Sequence, residues 1–216
     1  MIKNRNVQLI FLSSFCALAL VAVLASIGLF EADYNEGFYV YFTNLSNYFC
    51  VGIMIAEFVY VIKKANKNEQ GSINVAPKLK FIGMILILIT FFVYNILLAK
   101  DRSVELNLSI RSVLLHVILP IMYVVDWFLF YDRGKVKWYE PLVTLIAPLI
   151  YVAYVFIRGW ILGWKGANIY PYFFLDPTRV GVNGVLMWMG ILLLVFLVVG
   201  YALFGIDKIK SKGKKE

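Results

Sequence analysis

Small polar side chains interrupt an apolar run at residues 41–49, which read YFTNLSNYF. Thr43, Asn44, Ser46 and Asn47 stand among aromatic residues and leucine. A buried polar group is costly unless its hydrogen bonds are satisfied, so this cluster needs an explanation. Either the side chains join membrane helices by interhelical hydrogen bonds, or they line a reactive site in which Thr43 or Ser46 supplies a hydroxyl nucleophile. Residue chemistry leaves the choice between the two hydroxyls open.

The single histidine, His116, is the side chain best suited to act as a general base near neutral pH. In a hydrolase it would take the proton of the Thr43 hydroxyl and return it to a leaving alcohol. The amides of Asn44 or Asn47, or the guanidinium of Arg158, are candidates to stabilise an oxyanion.

The composition is that of a membrane protein. The chain has 216 residues, is 62% hydrophobic and has a mean hydropathy of +0.79, whereas a soluble domain is typically about 45–50% apolar. Cys16 and Cys50 both fall inside apolar runs, which argues against a disulfide framework or a zinc site. No metal or organic cofactor is implied. The net charge of +8 indicates membrane topology rather than a nucleic-acid partner, because the basic residues lie between the apolar runs and at the C-terminus.

Six apolar segments are each long enough to cross a bilayer as a helix, which needs ~20 residues. We predict an all-α fold, a polytopic bundle of six transmembrane helices. The spans are predicted at residues 7–30, 38–62, 79–99, 109–131, 139–163 and 180–205. They form one transmembrane domain, residues 1–206, followed by a basic cytoplasmic tail at residues 207–216, of which KIKSKGKKE, residues 208–216, is expected to be disordered.

The distribution of Lys and Arg predicts the orientation. One side of the membrane carries 15 of these residues and the other carries 5, with Arg158 inside a span. The 15 include Lys80, which is assigned to the second connection. The positive-inside rule therefore places both termini in the cytoplasm and predicts a multi-pass protein of the cell membrane.

With this topology, several polar residues fall in the outer half of the bundle. Thr43 lies about 7–8 Å below the outer end of the second span, and His116 lies about 10 Å below that of the fourth. Thr43, Ser46 and Asn47 share one face of the second helix, with Asn44 offset by one residue. The other candidate substrate-binding or oxyanion-supporting residues of the outer half are Tyr94, Asn95, Arg158 and Asn183.

Pro120 lies four residues after His116 and has no N–H, so the His116 carbonyl should lose its helical donor and the helix should kink. The alternative is an ordinary membrane-helix proline whose neighbours satisfy the freed backbone.

Two acids, Glu57 and Asp126, lie near the cytoplasmic ends of the second and fourth spans. They could form a proton relay with His116. We favour interfacial acids that pair with nearby bases. The candidate bases are Lys63, Lys64, Arg133 and Lys137.

The last outer connection, residues 164–179, reads WKGANIYPYFFLDPTR. A rigid interfacial loop with Trp164, Tyr170 and Tyr172 at headgroup depth is favoured over a lid.

Six spans in this length, with YFTNLSNYF in the second and LLHVILPIMYVVDWFLF in the fourth, resemble the androgen-induced protein family. That family comprises six-span membrane proteins with bacterial relatives. Its animal members hydrolyse fatty acid esters of hydroxy fatty acids, as threonine hydrolases that use an intramembrane Thr and His. The resemblance implies that Thr43, in FTN, is the nucleophile and that His116, in LLH, is its partner.

The leading hypothesis is an intramembrane lipid ester hydrolase that acts on a membrane lipid or fatty acyl ester at an outer-half cavity between the second and fourth helices, with contributions from the third, fifth and sixth. One rival is a proton-coupled transporter or channel lined by His116, Glu57 and Asp126. Another is a non-catalytic lipid-binding or assembly subunit.

Overall fold

Six long helices make up the structure. The computed structural model describes residues 2, 4–30, 36–65, 73–99, 108–165 and 169–212. Within these ranges there is no β-strand, and six helices are long and apolar enough to cross a membrane. In chain order, α1 to α6 are Arg5–Ser26, Phe42–Lys64, Pro77–Leu98, Ile110–Phe130, Glu140–Ile161 and Pro177–Ile209. The predicted all-α bundle of six transmembrane helices is confirmed, and the fold is that of a multi-pass membrane protein.

The chain packs around α3, which contacts α2, α4, α5 and α6. Half of the most apolar window of α3 is buried, against 17% for α6, so α3 is central and α6 is peripheral. Large apolar side chains cover the outside of the bundle; Trp160 and Ile161 on α5 are 73% and 71% exposed. Such a surface suits contact with lipid.

Three contacts fix which chain segments share an end of the bundle. The N–H of Ile2 donates to the carbonyl of Leu129 at 2.8 Å. Gln8 exchanges two hydrogen bonds with the backbone of the second connection, and Lys208 Nζ donates to the carbonyl of Gly134 at 3.3 Å. The N-terminus, the second and fourth connections and the end of α6 therefore lie together at what we call the terminal end. Its placement in the cytoplasm remains a prediction.

The last helix is longer than predicted. Its regular geometry is interrupted at Gly181, whose φ of 71° and ψ of 164° are not helical, and the helix then continues to Lys212. Residues 208–212 are therefore helical, and the expectation of disorder is wrong for them. No proline interrupts this part, and Asp207 is anchored by two backbone N–H groups of the fourth connection. Residues 213–216 lie outside the described residues.

A buried ionic cluster joins three helices near the terminal end. Lys80 Nζ lies 2.5 Å from Glu57 Oε2 and also contacts Asp126 Oδ2, and all three side chains have 0% exposure. Lys80 belongs to the first turn of α3, which begins with Pro77, a favoured first residue of a helix. The assignment of Lys80 to the connection is therefore wrong, although one lysine does not reverse the charge count.

The two acids are paired, but their partner is Lys80 and not one of the four predicted bases. Among those bases, Arg133 stacks on the Trp127 ring at 3.5 Å and donates to the Trp127 carbonyl. Lys137 lies 5.7 Å from the centre of the Tyr139 ring.

Candidate functional site

Thr43 is the second residue of α2 and is 5% exposed. It lies at the end of the bundle opposite the terminal end, which we call the outer end in line with the predicted orientation. The first N–H groups of a helix have no partner within the helix. Here the N–H of Thr43 donates to the hydroxyl of Tyr172 at 3.2 Å. The last outer connection thus folds back onto the start of α2 and places a phenol beside Thr43.

Thr43 lies on the wall of an apolar cavity of about 70 Å³. The lining comes from α2, α3, α5, α6 and the segment before α6, and the cavity has room for a few water molecules. It comprises Phe42, Thr43, Ile89, Thr90, Val93, Pro148, Leu149, Tyr151, Val152, Tyr172, Phe174, Leu175, Met189, Leu192, Leu193 and Phe196. The predicted second, third, fifth and sixth helices all contribute, but no residue of α4 lies on this wall.

Hydroxyl groups are the main polar groups on this wall. Thr90 is buried, and its Oγ1 has no hydrogen-bond partner within the described part of the chain. The Tyr151 hydroxyl donates to the carbonyl of Val40 at 2.9 Å. Thr43 and Thr90 are therefore hydroxyl-bearing residues on an otherwise mainly apolar wall.

Ser46 does not line the cavity beside Thr43 but a separate groove. It lines a groove of about 540 Å³ between α2, α3 and α5, whose rim includes the exposed Ile146 and Ile150. Phe42 and Tyr151 line both spaces and form the wall between them. Ser46 is buried, and its Oγ has no hydrogen-bond partner among the described residues. Helical spacing places Thr43 and Ser46 on one face, yet the aromatic wall separates what they line.

His116 belongs to α4, and its side chain packs against α3. It is 6% exposed, and its ring stacks on Tyr94 with centroids 3.6 Å apart and an angle of 11° between the planes. The Tyr94 hydroxyl shares a hydrogen bond with Ser112 Oγ at 2.5 Å, which ties Tyr94 to the helix that carries the histidine. Two residues that were predicted separately, Tyr94 and His116, are thus in direct contact, although His116 is not on the cavity wall.

His116 lies in a π-helical turn, Leu114–Ile118, within α4. The N–H of Leu119 donates to Leu114, five residues back, and Pro120 has no N–H. The carbonyls of residues 115 and 116 therefore lose their usual helical donors. π-Turns are rare and are frequent at functional sites.

Two asparagines supply the missing donors. Asn47 Nδ2 donates to the carbonyl of Leu115 at 2.9 Å, and Asn95 Nδ2 donates to that of His116 at 3.2 Å. Asn95 lies in a second π-helical segment, Val93–Leu98 of α3. Neighbours thus satisfy the freed backbone, as the alternative interpretation of Pro120 expects.

Asn47 also links the backbone at Thr43 to the backbone of α4. Its Nδ2 donates to the carbonyl of Thr43 at 2.8 Å as well as to Leu115, the residue before His116. Both carbonyl oxygens thus lie within 2.9 Å of one nitrogen, which agrees with the common depth predicted for Thr43 and His116. Since an amide has two N–H groups and both are used, Asn47 has no donor left for a reaction intermediate.

The remaining predicted residues lie off the cavity wall. Asn44 is buried and its Nδ2 donates to the carbonyl of Phe38 at 3.0 Å, which holds the 3₁₀ turn before α2. Arg158 is partly exposed near the outer end of α5, and Asn183 is exposed at the start of α6. The structure therefore gathers Thr43, Asn47 and the residues around His116, and leaves Arg158 and Asn183 apart.

Tyr172 and Thr90 are the two residues that the sequence patterns miss. Tyr172 is buried against the start of α2, and burial raises its pKa to about 12; its depth in the membrane stays a prediction. Its surroundings, YPYFF, signal an aromatic turn but not the direction in which it folds. Thr90 is a single hydroxyl in the apolar run ILILITFF, and such an isolated polar residue is the signal that could identify it.

No group of three or more His, Cys, Asp or Glu that could hold a metal ion occurs among the residues that the structure describes. No protein-family model, no curated protein and no solved structure matches this chain.

Proposed function

We propose that this protein is an intramembrane lipid ester hydrolase in which Thr43 is the nucleophile and His116 the general base. The observation that supports this most directly is the position of the buried Thr43 on the wall of an apolar cavity, with its carbonyl joined through Asn47 to the residue before His116. A hydroxyl in such a place meets an acyl ester with little competing water.

In the proposed reaction, the Thr43 oxygen bonds to the ester carbonyl carbon while its proton passes to the His116 imidazole. The ester C–O bond breaks, and the alcohol leaves with that proton. Water then attacks the acyl-threonine in the same way, which releases the fatty acid and restores the hydroxyl. The imidazole must come within about 3 Å of the hydroxyl for direct transfer; the stacked Tyr94 ring limits how it can turn.

Tyr172 is the group best placed to stabilise the oxyanion. Its oxygen accepts the N–H of Thr43, and its raised pKa of about 12 keeps its own hydrogen in place at neutral pH. A phenol beside the nucleophile can donate that hydrogen as negative charge develops on the carbonyl oxygen. It takes the role first considered for Asn44, Asn47 or Arg158.

The shape of the two spaces suggests a substrate with a long apolar chain. The cavity beside Thr43 is small, about 70 Å³, and suits the ester group with its nearest carbons. The neighbouring groove of about 540 Å³ opens sideways past Ile146 and Ile150 and suits an acyl chain entering from the lipid. Movement of Phe42 or Tyr151, which form the shared wall, would join them.

The proposal can be tested with purified protein in detergent, a medium-chain nitrophenyl ester and a fluorophosphonate probe. We expect Thr43→Ala to abolish ester turnover and labelling, and Ser46→Ala to preserve both. These two hydroxyls lie one turn apart on α2 but line different spaces, so they form a matched pair. Labelling that moves to Ser46 would reassign the nucleophile, and turnover unaffected by His116→Gln would remove the base.

A second candidate function, proton-linked transport, is favoured by one observation, the charged residues Glu57, Lys80 and Asp126 inside the membrane bundle. Reconstituted vesicles separate the candidates. A transporter would show pH-dependent solute flux that Glu57→Gln removes and Thr43→Ala leaves intact, without ester turnover.

A further inference from the structure

A groove of about 540 Å³ lies at the terminal end of the bundle, between the fourth connection and the end of α6. Residues 134–139, Phe204 and Lys208 line it. Its cationic members are Lys135, Lys137 and Lys208, and nothing in the proposed hydrolase site involves them. We propose that this groove binds the phosphate headgroup of an anionic membrane phospholipid.

The groove is held in shape by a buried acid. Asp207 has 0% exposure and accepts the N–H of Gly134 at 2.9 Å and of Val136 at 3.2 Å. Lys208, the next residue, donates from Nζ to the carbonyl of Gly134 at 3.3 Å. The connection is therefore fixed against α6, and the lysines that follow Gly134 project from a defined backbone.

The charge of the groove favours an anion. Lys135 and Lys137 are exposed. The carboxylate of Asp132 lies 3.4 Å from Lys135 Nζ in a solvent-exposed pair, and such pairs contribute little, so a phosphate can compete for the lysine. The carboxylate of Asp207 is turned inward onto the two backbone N–H groups and does not face the groove.

Aromatic and apolar side chains complete the groove in the way that a lipid requires. Trp138 and Tyr139 immediately precede α5; Trp138 is 65% exposed, and Tyr139 is also exposed. Trp and Tyr are enriched at headgroup depth. Phe204 lies below Lys208, with Nζ 5.3 Å from the ring centre. A charged rim above an apolar wall matches a phosphate headgroup with the first carbons of its chains.

The positive-inside rule assigns the terminal end to the cytoplasmic leaflet, where anionic lipids attract basic segments. A soluble phosphate would satisfy the lysines but not the apolar wall. The proposal therefore commits to a phospholipid, and the soluble phosphate becomes an outcome of the test.

The test uses native mass spectrometry of the full chain in detergent with phosphatidylglycerol or phosphatidylcholine. We expect the wild-type chain to retain phosphatidylglycerol preferentially, and Lys135→Gln/Lys137→Gln to weaken that binding about tenfold to thirtyfold. The control, Lys63→Gln/Lys64→Gln, removes the same charge from the same end of the bundle, outside the groove, and should change binding less than threefold.

Equal losses in the two double variants would overturn the proposal, because diffuse charge attraction would then explain the binding. Unchanged binding in Lys135→Gln/Lys137→Gln would overturn it as well. Competition by glycerol phosphate at the same concentration as the lipid would assign the groove to a soluble phosphate instead. Thermal melting of each variant checks the fold, and Lys208→Gln, a milder single change, should weaken binding about fivefold and provides a second measurement.

Discussion

The outer and terminal halves of this bundle hold their polar side chains in different ways. In the outer half, neutral groups line empty space: Thr43 and Thr90 face the cavity, and Ser46 faces the groove. The hydroxyls of Thr90 and Ser46 have no hydrogen-bond partner among the described residues. In the terminal half, the buried Lys80 lies between two buried carboxylates.

This difference separates a site that can take a ligand from one that holds helices together. Charges inside a membrane protein are functional candidates by default. Here the charged residues pair through Lys80 and connect α2, α3 and α4, although Glu57 Oε1 and Asp126 Oδ1 have no hydrogen-bond partner among the described residues. The hydroxyls of the outer half, by contrast, belong to residues that line a cavity or a groove. We therefore expect changes in the terminal half to affect stability and changes in the outer half to affect activity.

Lys80→Met should give the largest effect. It leaves Glu57 and Asp126 buried without a cation, and breaking a buried ion pair in this way costs about 3–5 kcal/mol. Thermal or denaturant unfolding in detergent measures the loss. Lys78→Met is the matched control, since Lys78 lies two residues earlier on the same helix and is exposed. Equal stability of the two variants would show that Lys80 does not stabilise the packing of α2, α3 and α4.

Thr43→Val should separate activity from stability in the outer half. The valine keeps nearly the same shape and preserves the backbone N–H bond to Tyr172. We expect ester turnover to fall at least about hundredfold, equivalent to about 2.7 kcal/mol, with unfolding changed by less than about 1 kcal/mol. Thr90→Val, on the same cavity, is the control and should keep turnover within about threefold. Loss of activity in both variants would point to the shape of the cavity rather than to the Thr43 hydroxyl.

Asn47→Leu should have an intermediate effect. The Leu115 carbonyl loses the amide that replaces its helical donor, and polar contacts between membrane helices contribute about 1–2 kcal/mol at most. We expect that decrease in stability, with a fall in turnover because Thr43 and the α4 helix lose their link. Asn183→Leu, an exposed asparagine on α6, should change neither quantity. Full activity in Asn47→Leu would show that the link does not position the pair.

Hydropathy and charge predict most of the fold because each span must be apolar over its whole length and basic residues collect at one end. The common depth of Thr43 and His116 also follows from helical rise and topology. The assignment of Lys80 to the second connection failed because a lysine close to Lys78 looks like part of a basic connection. The packing of three helices, which the sequence does not show, buries the residue. Only the folded chain shows that its two acids lie beside it.

The cavity itself was harder to predict than the residues near it. Helical spacing places Thr43 and Ser46 on one face, but the bulk of Phe42 and Tyr151 decides which space each side chain lines. The role of Asn47 depends on the π-turn, which frees the Leu115 carbonyl that its amide binds, and the apolar pattern of α4 does not reveal that turn. The position of Tyr172 beside Thr43 depends on how the last outer connection folds back onto α2, and hydrophobic periodicity carries no information about that.

Tyr172→Phe should give the smallest change in stability and the finest test of the comparison. Phenylalanine keeps the ring stacked on Phe174 but removes the oxygen that accepts the Thr43 N–H. Loss of one such hydrogen bond costs about 1 kcal/mol.

If the phenol also donates to the oxyanion, kcat of Tyr172→Phe should fall about tenfold or more while KM changes little, because the donor acts only on the transition state. Tyr151→Phe removes a hydroxyl that is already donated to Val40, so it should lower stability by a similar amount and leave kcat nearly unchanged. A parallel fall of kcat in both variants would assign Tyr172 to holding α2 in place, whereas a fall in Tyr172→Phe alone would assign it to the reaction.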